Sequence, residues 1–127
     1  MTPQRLLEDY AKALDELEQV LTESSENQLI QAGCIQYFEF CFELAWKSVK
    51  SVAEQEGLEC HSPKTCLKVA HQNGWVEEEP FWLEMLASRN RMSHTCDSGT
   101  ALNIYHHLTE FLQTLQQLHL NLKTHCG

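Results

Sequence analysis

Arg89 and His94 are the two residues of this chain best suited to doing chemistry. Arginine is a permanent cation whose planar guanidinium matches phosphate oxygens. Histidine can take up and return a proton near neutral pH. Together they form a minimal set for phosphodiester cleavage without a metal. They lie in the stretch Trp82 to Asp97, which begins with amphipathic spacing and ends in a dense polar patch containing Arg89, Asn90, Arg91, Ser93 and His94. Spacing alone favours a plainer account, because an Arg and a His five residues apart are common. In that account Arg89 and Arg91 are solvated and His94 closes a helix C-terminus, where a cation is favoured.

Five residues along a regular helix is a rotation of about 500°, which leaves the two positions roughly 140° apart. A helix running straight through both cannot aim them at one target. Either the helix ends near Ser93, or each residue works with a partner on a second subunit. The run Thr95, Cys96, Asp97, Ser98 and Gly99 holds one β-branched residue, two good caps and a breaker, and so predicts a helix end. A site shared across a two-fold axis stays open.

The elements that must position this stretch are all helical by pattern. Thr2-Pro3 is a capping hydroxyl followed by proline at the first helical position. Leu7, Tyr10, Leu14, Leu17 and Leu21 then recur three and four apart along one face. After a connection at 23–27, a second helix is expected from Asn27 to Glu56, with Gly57 as its stop. Its centre is apolar nearly all round, so it is either central to the bundle or buried by a partner. Within it Glu39, Glu43 and Lys47 follow at intervals of four; an exposed charged stripe is the preferred reading. Ser62-Pro63 opens a third helix, with Cys66, Leu67, Val69 and Ala70 inward and Asn73-Gly74 as its end. Lys64 and Lys68 share a face there and are best read as solvated.

The acids Glu77, Glu78 and Glu79 suit the start of a fourth helix, whose dipole favours negative charge. Its inner face is Phe81, Trp82, Met85, Leu86 and Met92. Asp97 or Ser98 caps the last helix, whose apolar positions run from Ala101 through Ile104, Leu108, Phe111 and Leu115 to Leu122. Leu120 falls off that stripe. No β pattern appears, and the expected architecture is all-α: one domain over 1–127, an antiparallel bundle of four or five helices with short loops.

Composition narrows the functions. At 127 residues, 43% of them hydrophobic, the chain can bury a core. The formal net charge of −9 argues against broad nucleic-acid binding but leaves room for a small local site. No apolar run approaches a membrane span. The first ten residues carry acids where a signal peptide needs an apolar stretch, so a cytoplasmic location is expected. The six cysteines contain no Cys-x-x-Cys pair, which leaves a zinc site poorly supported. All six are expected as reduced thiols, with Cys34 and Cys41 acting as small buried hydrophobes. His106 and His107 are adjacent and make a poor metal pair. No metal and no cofactor are expected.

Several pieces in order resemble one family, the HEPN-domain proteins described as nucleotidyltransferase substrate-binding subunits. The pieces are Gln36-Tyr37-Phe38-Glu39-Phe40, Phe42-Glu43-Leu44-Ala45-Trp46-Lys47, Ser62-Pro63, Ala70 with Gly74, and Trp82-Leu83-Glu84-Met85-Leu86 leading into Arg89-Asn90 and Ser93-His94-Thr95. They cover the chain from the second helix to the start of the last. The resemblance implies a helical bundle that dimerises along the helices carrying the Arg-x4-His motif. It implies a partner, a minimal nucleotidyltransferase. This chain is not that enzyme, because Asp9, Asp15 and Asp97 are its only aspartates and none forms an Asp-x-Asp magnesium pair. In the wider superfamily the motif belongs to metal-independent ribonuclease toxins, which the nucleotidyltransferase neutralises by adding AMP to a tyrosine two residues past the histidine. Cys96 occupies that position here, so the usual acceptor hydroxyl is missing.

The resemblance implies roles as well. His94 acts as general acid or base on the ribose 2′-hydroxyl and the leaving oxygen. Arg89 stabilises charge developing on the phosphate. Asn90 orients phosphate or His94, Arg91 is a further phosphate contact, and Ser93 and Cys96 are expected as binding residues beside it. The alternative is a non-catalytic subunit whose cleft helps a nucleotidyltransferase hold its substrate.

Overall fold

A side-chain cap opens each of the first three helices. The Thr2 hydroxyl accepts from the Arg5 amide at the start of α1 (Pro3–Thr22). The Asn27 amide oxygen accepts from the Leu29 amide at the start of α2 (Gln28–Gln55). Ser62 and Thr65 form a reciprocal capping box at α3 (Pro63–Gln72). Two more helices follow, α4 (Glu79–His94) and α5 (Ser98–Cys126). The computed structural model describes residues 2–23, 27–94 and 98–126, apart from the side chains of Ser93, His94 and Ser98. Among the described residues there is no strand. Gly57 and Gly74 follow the second and third helices with φ of 75°. That left-handed backbone is where a helix commonly ends and where a side chain is disfavoured.

The three long helices enclose the core. Leu7, Tyr10, Leu14 and Leu17 of α1 are buried, as their spacing predicted. They meet α2 and α5, and the Tyr10 hydroxyl donates to the Leu115 carbonyl. The aromatic centre of α2 is central to the fold. Phe38 stacks on Phe111 with ring centroids 5.2 Å apart, and Phe42 lies 6.2 Å from Trp82. Burying one such side chain is worth about 1.5–3 kcal/mol. The path through α3 and α4 returns the chain so that α5 lies beside α2 in the same direction. Phe38 meets Phe111 midway along the two helices, and Glu56 meets His125 where both end. Leu120, off the apolar stripe, is 55% exposed.

Cysteine differs from expectation in one respect. Cys60 and Cys66 are joined in a disulfide with Cα atoms 5.0 Å apart, so the reading of all six as reduced thiols is corrected at these two. The fold explains the pairing: the turn into α3 folds Cys60 back onto the first turn of that helix, and both residues are buried. Cys34 and Cys41 are free and fully buried, in the role expected of them. Burial, with some help from the Glu16 charge, pushes the Cys41 thiol up to about 12, so it stays protonated and inert. No described helix is long and apolar enough to cross a membrane.

Candidate functional site

The amphipathic face of α4 fixes the site. Trp82, Met85 and Ser88 point inward and are buried, with Phe81, Leu86 and Met92 beside them partly covered. That register sends Arg89 along the flank of the buried face, toward α2. Its side chain is 30% exposed and Nη2 donates to Glu43 Oε2 at 2.9 Å. Trp46 Nε1 donates to the same oxygen at 3.1 Å, and Lys47 Nζ stands 3.7 Å from the other oxygen. Three donors from two helices therefore converge on one carboxylate. All three α2 members of this network, Glu43, Trp46 and Lys47, belong to the motif Phe42 to Lys47.

The reading of Glu39 and Glu43 as an exposed stripe is corrected by this geometry. Glu43 is two-thirds buried and holds the arginine; only its pair with Lys47 matches the expectation. Glu39, one turn earlier on α2, is also partly buried. Burial raises its carboxyl above the ordinary glutamate value, and the nearby Arg89 charge offsets part of that rise. Periodicity did not reveal the pairing, because Arg89 and Glu43 are 46 residues apart. The available signal was their location in two motif pieces on helices expected to pack together.

The other expected site residues fall elsewhere. Asn90 is exposed on α4. Arg91 is exposed, and its Nη2 donates to the hydroxyl of the buried Ser88 at 3.1 Å, which turns it away from Arg89. The helix runs to His94, one residue beyond the expected end, so Arg89 and His94 both have helical backbone. Their positions are then about 140° apart, while Asn90 and His94 lie about 40° apart on one face. The side chains of Ser93 and His94, and Cys96 altogether, lie outside the described residues. Tyr105, in the second turn of α5, has a buried hydroxyl with no hydrogen-bond partner among the described residues and is not presented to a modifying enzyme.

A groove of about 620 Å³ reaches Glu39, one turn before Glu43 on α2, and Met92, three residues past Arg89 on α4. The first half of α2, the last turns of α4 and the first turn of α5 form its walls, with Glu39 and Met92 at the end nearest Arg89. Its lining is mostly apolar, interrupted by Glu39 and glutamine side chains, the usual make-up of a small-molecule site.

Comparison with known proteins places this geometry in context. Residues 5–124 match the family model described as nucleotidyltransferase substrate binding protein like. A probable ribonuclease HepT from Haemophilus influenzae is 31% identical over 86 residues, covering 64% of this chain and 59% of that relative. A crystal structure of a protein from Thermus thermophilus superposes with a TM-score of 0.82 at 28% identity, covering 89% of this chain and 98% of the other. A second solved structure, from Haemophilus influenzae, is described as revealing the fold of a substrate binding domain of a nucleotidyltransferase. It superposes with a TM-score of 0.81 at 25% identity, covering 92% of this chain and 98% of the other.

Proposed function

Because the chain belongs to the nucleotidyltransferase substrate binding protein like family, we propose that it is the HEPN subunit of a two-component system completed by a minimal nucleotidyltransferase. In this reading it is a toxin-like, metal-independent endoribonuclease of the cytoplasm, acting through Arg89 and His94 at a cleft between two copies of the chain. The observation that carries the proposal is the anchored Arg89, a half-buried guanidinium fixed by Glu43 beside a groove. The likeness to a probable ribonuclease HepT supports the same chemistry.

With a continuous α4, this reading calls for two copies of the chain. Arg89 faces α2, and the Asn90–His94 face of α4 turns away from it by about 100–140°. A two-fold axis beside α4 brings the Asn90–His94 face of one copy to the Arg89 of the other. The chemistry then follows. His94 takes the proton from the ribose 2′-hydroxyl, and the 2′-oxygen attacks phosphorus. The bond from phosphorus to the 5′-oxygen breaks, and that oxygen leaves with a proton from imidazolium. Arg89 neutralises the charge that builds on the non-bridging oxygens. Asn90 orients the imidazole.

A non-catalytic subunit that helps a nucleotidyltransferase hold its substrate is the second reading. It is favoured by the pairing of Arg89 with Glu43, which already neutralises the guanidinium, and by the description of the Haemophilus influenzae fold. Cleavage of single-stranded RNA by wild type and His94→Ala, in the presence of a chelator, separates the two. Loss of cleavage in the variant supports the nuclease; no cleavage by either, with a nucleotidyltransferase reaction that depends on this chain, supports the binding subunit.

A further inference from the structure

The groove beside Arg89 has a polar end and an apolar end. Glu39 and Gln36 stand one and two turns before Glu43 on α2, and Gln31 lies further along the same wall. Ile35, Met92 and Leu102 supply apolar surface, the last of them 43% exposed. The volume of about 620 Å³ lies within the roughly 300–1,000 Å³ typical of sites for small organic ligands. Met92 is three residues past Arg89 on α4, and the Arg89 charge is felt at Glu39. On the reading that Arg89 holds an RNA phosphate, the nucleoside attached to that phosphate extends toward the Glu39–Met92 end of this groove.

The polar groups narrow the base. An ionised carboxylate only accepts hydrogen bonds, whereas glutamine amides both accept and donate. Among the four RNA bases, guanine alone places two adjacent donors, N1–H and N2–H₂, on its Watson–Crick edge. Adenine and cytosine set a ring-nitrogen acceptor beside their amino group, and uracil flanks its single N–H with two carbonyls. Either arrangement leaves a carboxylate oxygen facing an acceptor, a desolvated mismatch. Glutamine amides can donate to guanine O6, and the apolar wall takes the face of the ring.

We infer that this groove is a guanine-binding subsite in which the Glu39 carboxylate accepts N1–H and N2–H₂ of a base whose phosphate lies at Arg89. The inference rests on the reading that Arg89 handles an RNA phosphate, and it adds the base that the site selects. It also assigns Glu39 a role that neither the Arg-x4-His motif nor the family comparison gives it.

The test is equilibrium binding of GMP, IMP, AMP and UMP to the full chain by calorimetry. GMP binds tightest. IMP, which lacks the 2-amino group, binds roughly tenfold more weakly, the effect of one lost hydrogen bond to a charged acceptor. Glu39→Gln, nearly isosteric, brings GMP down to the level of AMP while its melting transition stays cooperative. The comparison of GMP with IMP needs no variant and so stands even where a substitution disturbs the fold. Equal binding of the four nucleotides, or an unchanged GMP preference in Glu39→Gln, overturns the proposal. So does a groove filled by a second copy, seen as no nucleotide binding by wild type together with monomerisation on Ala32→Arg. Loss of the nuclease reading looks different: wild type fails to cleave RNA yet still prefers GMP.

Discussion

Arg89 on α4 and Glu43 on α2 are joined across 46 residues of sequence by a 2.9 Å hydrogen-bonded ion pair. Glu43 also receives the indole N–H of Trp46. One carboxylate thus sets where the guanidinium points and ties the site to α2, the helix that carries the buried Phe38 and Phe42. Glu43→Gln keeps the shape and removes the charge. It should lower stability by roughly 1 kcal/mol, a fall in Tm of about 3–5 °C for a domain of this size. Lys47→Ala, which removes the longer and more exposed pair to the same carboxylate, should cost less than about 0.5 kcal/mol. Thermal melts of the two variants side by side check the ranking; equal losses would mean that the Arg89–Glu43 bond contributes nothing special.

Glu39 makes stability depend on pH in a particular direction. Burial raises its folded-state carboxyl pKa above the usual 4.5, so the folded protein holds that proton more tightly than the unfolded chain does. Ionising Glu39 therefore costs stability above the ordinary carboxylate range, and the cost disappears once pH falls below it. Glu39→Gln should melt slightly above wild type at pH 7, with the gap closing by about pH 4. Melts across this interval measure it, and a variant less stable than wild type at pH 7 would contradict the assignment.

The aromatic stack at the centre predicts a large effect beside a small one. Phe38 is fully buried against Phe111, so Phe38→Ala should cost about 3–5 kcal/mol in urea denaturation. Leu120 is more than half exposed, and Leu120→Ala should stay within about 0.5 kcal/mol of wild type. Comparable losses at both positions would mean that the register of α5 differs from the one described.

The Cys60–Cys66 bond closes a short loop, so chain entropy predicts a modest contribution of about 2 kcal/mol. Protein isolated without reductant and then unfolded should take up two more alkylating groups after reduction than before it, the pair from Cys60 and Cys66. Reduction should lower Tm by several degrees. Six labels without reduction would remove the bond.

How much of this was legible in the sequence follows from the range of each signal. Local chemistry was readable: Thr2-Pro3, Asn27, Ser62-Pro63, Gly57 and Gly74 bound the first three helices where expected, because caps and left-handed glycines act within a few residues. The buried face of α5 and the exposed Leu120 followed from helical period. What escaped was non-local. Glu43 looked like one member of an i, i+4 charged stripe, since nothing nearby says that an arginine on another helix will reach it. The disulfide escaped because two cysteines six residues apart carry no pairing signal of their own until the turn into α3 brings them together. The angular problem that Arg89 shares with His94 was legible, but Thr95 to Gly99 favoured a helix end near Ser93, whereas α4 runs through His94.

That angular separation makes the central claim directly measurable. Purified Arg89→Ala and His94→Ala chains are each inactive on single-stranded RNA if both residues are catalytic. Mixed and allowed to exchange subunits, half of the dimers carry one of each chain. If each site takes Arg89 from one copy and His94 from the other, every such mixed dimer has one intact site, and cleavage recovers to about a quarter of the wild-type rate. Recovery to that level is the predicted result. Exchange without any recovery of cleavage would contradict a site shared between two copies.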